Sequence, residues 1–254
     1  MRTVTLAVVC AIVAFLSGCV TEGGLALEPA SVEDQAQANL DVGIGYLQEQ
    51  RPEVAIDALL RAINLDPRLA EAHGAIALAY DQTGDPELAE QHHRRATQLA
   101  PSNPALQNAM AVFLCRQDRW TDAEPFYQVA IDRAGNAGIE YMFNAATCAR
   151  AGGDPVAAER FYRDVLDFDA ARPDALRGIV QVLIQQEDYL TARAFWQRLE
   201  PTTELVAEDY LSCYVIESGA GDTIAARDCA TRLRRDFPGS AASRRLNQLE
   251  QNGG

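Results

Sequence analysis

Alanine recurs at Ala55, Ala89, Ala123, Ala158, Ala192 and Ala226, a period of 34 residues with one residue inserted between the third and fourth. Seven residues beyond each stands a second small or aliphatic residue: Ala62, Ala96, Ala130, Val165, Leu199 and Leu233. A period of that length spans one supersecondary unit, which cannot bury its apolar face alone and must stack on copies of itself. The spacing of seven within each unit is two helical turns, so each alanine belongs to a helix with a narrow inward face. Two antiparallel helices approach closely only where small side chains meet, and the pattern predicts Gly43 opposite Ala55 and Ala77 opposite Ala89. Pro67, Pro101 and Pro238 close second helices, because the residue before a proline avoids the helical region. Gly84-Asp85-Pro86, Gly153-Asp154-Pro155, Glu187-Asp188-Tyr189 and Gly221-Asp222 supply the turn between the two helices of a unit.

This is the tetratricopeptide period and pattern. The expected fold is all-α, a right-handed superhelical solenoid of six helix-turn-helix repeats at 36–69, 70–103, 104–137, 139–172, 173–206 and 207–240, with a tail at 241–254. The third repeat lacks the closing proline and carries Gly135-Asn136-Ala137-Gly138, where an irregularity is expected. Val180 and Tyr214 occupy positions where a small residue is expected. The segment from Ser240 to Gln251 either covers the end of the stack or frays into solvent.

Ahead of the repeats the chain changes character. Arg2 is followed by an apolar run from Val4 to Leu16 that only Thr5 interrupts, too short to span a bilayer and suited to a signal-peptide core. Leu16-Ser17-Gly18-Cys19 resembles the lipobox of bacterial lipoproteins. That resemblance implies removal of residues 1–18, a diacylglycerol on Cys19 and acylation of the new amino group, several acyl chains together forming a stable anchor. Val20 stands where an Asp would retain a lipoprotein in the inner membrane, which implies outer-membrane delivery with the folded part on the periplasmic face. Residues 19–35 read as a lipidated tether, reaching at most roughly 55 Å.

The formal net charge of −14 lacks the clustered Lys and Arg of a phosphate-binding surface, and removing residues 1–18 takes away one Arg and no acid. Nucleic acid is thus an unsuitable partner, and proteins are the expected ones. Gly43-Ile44-Gly45 has no third glycine and no preceding strand, so it reads as helix contact rather than a nucleotide loop. His73, His92 and His93 are the three histidines, and no Cys or acid completes a metal set with them. No Ser, His and Asp arrangement indicates catalysis. The expectation is a non-enzyme without a cofactor other than the lipid, without a metal and without a small-molecule substrate.

Four cysteines follow Cys19. Cys115 and Cys148 fall late in the first helices of adjacent repeats, where a bond or two buried free thiols are both open. Cys213 and Cys229 fall on the two helices of repeat six at heights compatible with a bond. The first helices line the inner face of such a solenoid, and positions 2, 5, 9 and 12 of each repeat form its stripe. The stripe offers Leu40, Ile44 and Leu47, then Leu78, then Asn108 and Val112 as a partner-binding groove. The alternative is that the tether folds back over Leu40 and Ile44 as a cap.

From Asn39 onward the chain resembles the type IV pilus biogenesis lipoproteins, the secretin pilotins. The resemblance rests on Val42-Gly43-Ile44-Gly45-Tyr46-Leu47, on Asn108-Ala109-Met110-Ala111-Val112-Phe113-Leu114-Cys115, on Asn144-Ala145-Ala146-Thr147-Cys148 with Gly153-Asp154, and on Asp188-Tyr189-Leu190-Thr191-Ala192-Arg193. It implies an array that binds secretin subunits of the type IV pilus and promotes their outer-membrane localisation and multimerisation, and a cysteine pair at Cys115 and Cys148. The competing reading is a general periplasmic scaffold lipoprotein that recruits cell-wall enzymes, or a pilotin of a related pilus or secretion system.

Overall fold

The computed structural model describes residues 31–135 and 138–252, so the expected signal peptide, Cys19, the expected tether as far as residue 30, Asn136, Ala137, Gly253 and Gly254 lie outside the described residues. Among the described residues there are thirteen helices and no strand. They are α1 (Val32–Gln48), α2 (Pro52–Leu65), α3 (Ala70–Thr83), α4 (Pro86–Leu99), α5 (Pro104–Arg116), α6 (Trp120–Ala134) and α7 (Gly138–Ala151). There follow α8 (Pro155–Phe168), α9 (Pro173–Gln185), α10 (Tyr189–Leu199), α11 (Ala207–Gly219), α12 (Thr223–Asp236) and α13 (Ala241–Asn252). None is long and apolar enough to cross a membrane.

Local sequence sets the boundaries. Pro52, Pro86, Pro104, Pro155 and Pro173 each open a helix, where a missing N–H costs nothing and the fixed φ is already helical. Between the two helices of every repeat one residue takes the left-handed conformation, in the same register throughout: Gln50, Gly84, Asp118, Gly153, Glu187 and Gly221. Even-numbered repeats use glycine there. Odd-numbered ones force a side chain into φ of 57°, 56° and 60°, a conformation that costs a non-glycine residue roughly 1–2 kcal/mol.

The alanine ladder is the seam of the fold. All six ladder alanines and all six residues seven positions later are buried, each where the second helix of a repeat meets its neighbours. The close approach at Gly43 is real, but its partner is Leu59, one turn beyond Ala55: a Cβ added at Gly43 would stand 2.5 Å from Leu59 Cγ. In repeat five the tight contact moves to the junction with repeat four. There Gly178 of α9 lies against the ring of Tyr162 on α8, whose hydroxyl is 3.3 Å from Thr147 Oγ1, and Val180 joins the core.

Buried ion pairs fasten the later repeats. Arg177 of α9 donates to Asp209 of α11 at 2.9 Å, and Arg193 of α10 pairs with Glu217 of α11. Both acids are buried, so each pair fixes the geometry of the stack, and loss of one partner would leave the other charge uncompensated.

Both ends of the array differ from the sequence-based expectation. The first helix starts at Val32, so residues 32–35 are helical and not part of the tether, and Ala36 is already buried. The expected tail is α13, which packs on α11 and α12 in the position of a seventh first helix. Ala242 and Leu246 bury themselves against Leu211, Ala230 and Leu233, with Phe237 alongside. The apolar spacing of four carries that contact, and Arg234–Glu250 and Arg245–Glu208 pairs flank it.

Candidate partner-binding groove

Each odd-numbered helix from α1 to α11 touches the next odd-numbered one, whereas no even-numbered helix reaches the next even-numbered one. In a stack of two helical layers, the layer whose members lie closer together is the inner one. The odd helices therefore form the concave side of the solenoid, with α13 extending it. Their solvent-facing residues are the natural place for an extended or helical guest.

Of the six groove residues expected from spacing, Leu78, Asn108 and Val112 converge on one cleft of ≈ 170 Å³ between α3 and α5. Gly74, Asp81, His93, Ala109, Phe113 and Arg116 complete its wall. Gly74 lets α3 pack closely on α5, since a Cβ there would meet Leu106 Cδ2 at 2.5 Å. Asp81 of α3 and Arg116 of α5 form an ion pair across the rim. Leu78 is 37 % exposed, a large aliphatic side chain facing water, while Val112 is half-buried.

Ile44 and Leu47 lie on α1, on the same layer but outside that cleft; Ile44 is exposed and Leu47 half-buried. Leu40 is not a groove residue. It is 2 % exposed and packs with Ala55, Leu59, Ala62 and Ile76. Ala36, Leu40 and Gly43 form the buried stripe of α1, which turns Leu40 into the core.

Cross-links hold the inner layer at the next junction. Asn144 Nδ2 donates to Asn108 Oδ1 at 3.2 Å, and Cys115 is disulfide-bonded to Cys148, their Cα atoms 5.6 Å apart. Both links join α5 to α7, beside the cleft and across the junction that contains the inserted residue. Within repeat six Cys213 and Cys229 are also bonded, with Cα atoms 5.9 Å apart.

Helical spacing does not mark His93 as a groove residue. It lies on α4, four residues after Ala89 and three before Ala96, on the buried stripe of the second helix. It is tilted against Phe113, ring centroids 5.2 Å apart, and burial pushes its pKa down to about 4. The signal in the sequence was a titratable ring at a core position. A second cleft, of ≈ 260 Å³, opens between α9, α11 and α13, with Ile184, Leu211, Val215 and Leu249 in its wall. It depends on α13, which spacing alone left undecided between cap and frayed tail.

The remaining histidines pair elsewhere. His73 Nδ1 and His92 Nδ1 are 3.0 Å apart, and His73 Nε2 lies 3.2 Å from the Pro67 carbonyl oxygen. The carbonyl requires the proton on His73 Nε2, so His92 Nδ1–H donates to the bare Nδ1 of His73. Burial lowers the pKa of both. Among the described residues no group of three His, Cys, Asp or Glu side chains converges on a point where a metal could sit.

Residues 70–103, which hold α3 and α4, match the family described as tetratricopeptide repeat. That segment is a tetratricopeptide repeat. Along its length it is similar to the type IV pilus assembly protein PilF of Pseudomonas aeruginosa, 25% identical over 241 residues that cover 94% of this chain and 96% of that one. A Haemophilus influenzae protein of uncharacterised function is 26% identical over 133 residues, 52% of this chain and 73% of its own. Among solved structures, that of Pseudomonas aeruginosa pilF superposes with a TM-score of 0.69 at 22% identity, covering 86% of this chain and 99% of the other. PilW, described as a widely conserved type IV pilus biogenesis factor, gives a TM-score of 0.69 at 19% identity over 83% of this chain and 97% of its own. These superpositions show the tetratricopeptide solenoid fold.

Proposed function

We propose that this chain is a type IV pilus biogenesis factor that acts by binding, a lipid-anchored pilotin that brings secretin subunits to the outer membrane and promotes their multimerisation. The observation that carries the reading is similarity to a pilus assembly protein over nearly the whole of both chains, repeats and linkers together. The concave layer supports it: an apolar cleft between α3 and α5 and a second between α9, α11 and α13 give a protein guest two footholds on one face. The lipobox at Cys19 supplies the anchor that the role needs, and the acidic surface suits a protein guest rather than nucleic acid.

The test is a deletion strain probed for heat-resistant secretin multimers in its membrane fractions, complemented with the wild-type chain, with Cys19→Ala and with Val112→Asp. The expected result is loss of outer-membrane multimers on deletion and with Val112→Asp. With Cys19→Ala the multimers should be mislocalised. Normal secretin assembly in every strain would sink the proposal.

A further inference from the structure

The cleft between α3 and α5 is polar at one point of its floor. His93 reaches it from α4, in the layer behind, and shares the wall with Leu78, Val112 and Phe113. The residue is 3 % exposed, and its Nδ1 is fully enclosed with no hydrogen-bond partner. Burial keeps the ring uncharged at neutral pH; the charged and titratable groups that face it are Asp81 of α3, Arg116 of α5 and His92 of its own helix.

A neutral imidazole carries one proton, on one of its two nitrogens. An enclosed N–H without an acceptor is rarer in proteins than an acceptor left short of a donor. The proton therefore belongs on Nε2, and Nδ1 holds the bare lone pair. Because Nδ1 is sealed, the ring meets the cleft through its Nε2 edge, which presents an N–H donor to whatever enters.

We propose that His93 Nε2–H is a recognition donor: the cleft takes an apolar side chain of a partner segment, and His93 donates to an uncharged carbonyl oxygen beside that side chain. Charge selects the carbonyl over a carboxylate, since Asp81 faces the site and Arg116 is already paired with Asp81. The last turn of an apolar helix meets both requirements, because its final carbonyls lack intrahelical partners. This rests on the inner-groove reading above and adds to it the chemistry of the guest.

The experiment is nuclear magnetic resonance on the full chain labelled with 15N-histidine, which reports the tautomer of each ring directly. In the free protein His93 is expected as the neutral Nε2–H tautomer around neutral pH. The resonance of that N–H should move on addition of a purified secretin subunit and, separately, of N-acetyl-leucine methylamide at millimolar concentration. In subunit binding, His93→Phe should weaken affinity roughly five- to tenfold, the loss of one hydrogen bond, and His93→Gln, which keeps an amide donor, should stay within about twofold. An Nδ1–H tautomer in the free protein overturns the inference, as does subunit binding that leaves the His93 signals unmoved. If the subunit does not bind at all, the functional reading fails on its own. The small amide then decides: a shift at His93 upholds the recognition donor, and none at saturation refutes it. The tautomer readout uses the wild-type chain, so misfolding of a variant does not blunt it.

Discussion

The buried imidazole of His93 makes the stability of the array depend on pH, with a sign and a size that follow from the structure. In the folded chain the ring ionises at about 4, against 6.5 for a free imidazole. Above the upper value neither state binds the proton, and His93 contributes no slope. Between the two values the unfolded chain takes up a proton that the folded chain refuses, so stability falls as the pH is lowered, and the loss is complete below the lower value. The gap corresponds to about 3 kcal/mol, a large share of the stability of an ordinary domain. His73 and His92 are lowered by burial too and pull in the same direction. Carboxylates such as Glu90, held low by Arg119, also lose stabilising interactions in acid, so the wild-type profile alone is ambiguous. The decisive quantity is the difference between wild type and His93→Gln, measured by urea unfolding followed by far-ultraviolet circular dichroism at about pH 7.5 and about pH 4.5. The variant loses packing against Phe113 at every pH, a constant offset. Its deficit should shrink by about 2–3 kcal/mol on going to the lower pH, because it no longer carries the group that resists protonation. A deficit that does not change with pH would refute the burial argument.

Three further outcomes are expected. Glu187→Gly and Asp118→Gly relieve left-handed side chains at their turns and should stabilise the chain by up to about 1 kcal/mol each, read as a rise in the urea midpoint, whereas Gly153→Ala should do the opposite. Replacing Cys115 and Cys148 by Ser releases a loop of 33 residues and should lower stability by about 3–4 kcal/mol under non-reducing conditions, with the helical circular dichroism of the folded state retained. Leu40→Ala should cost about 2–4 kcal/mol of unfolding free energy, while Leu78→Asp, at an exposed position of the same cleft, should move the unfolding midpoint far less and abolish partner capture in a pull-down, which separates core from groove.

The repeat scaffold was legible because its signals are periodic and local. Alanines at fixed spacing marked every second helix, and prolines and glycines marked several turns. Gln50 and Asp118 hold the same left-handed turn position as Gly84, yet neither residue type announces that conformation, so only the register of the finished repeats reveals it. Within the groove, Leu78, Asn108 and Val112 followed from helical spacing on α3 and α5. Leu40 did not, because the buried stripe of α1 runs through Ala36, Leu40 and Gly43. His93 belongs to a helix that spacing assigns to the core, and it reaches the cleft from the layer behind α3 and α5, whose residues form the rest of the wall. Long-range coincidence of that kind has no trace in a one-dimensional pattern. The disulfide between Cys115 and Cys148 was half legible: spacing put the two residues on neighbouring helices, and their relative rotation decided the rest.

A stack of identical units carries no instruction to stop, and any bare end is a template for one more. Here α13 supplies that instruction. Its inner side, Ala242 and Leu246, closes the apolar surface that Leu211, Ala230 and Leu233 would otherwise offer to another chain. Away from that contact Arg244, Asn247, Gln248 and Glu250 face water, a largely polar surface that gives a further repeat little to bury. Growth of the array from that end, whether by a second molecule docking head to tail or by runaway filament formation, is thereby discouraged, and the number of guest sites stays tied to the number of chains.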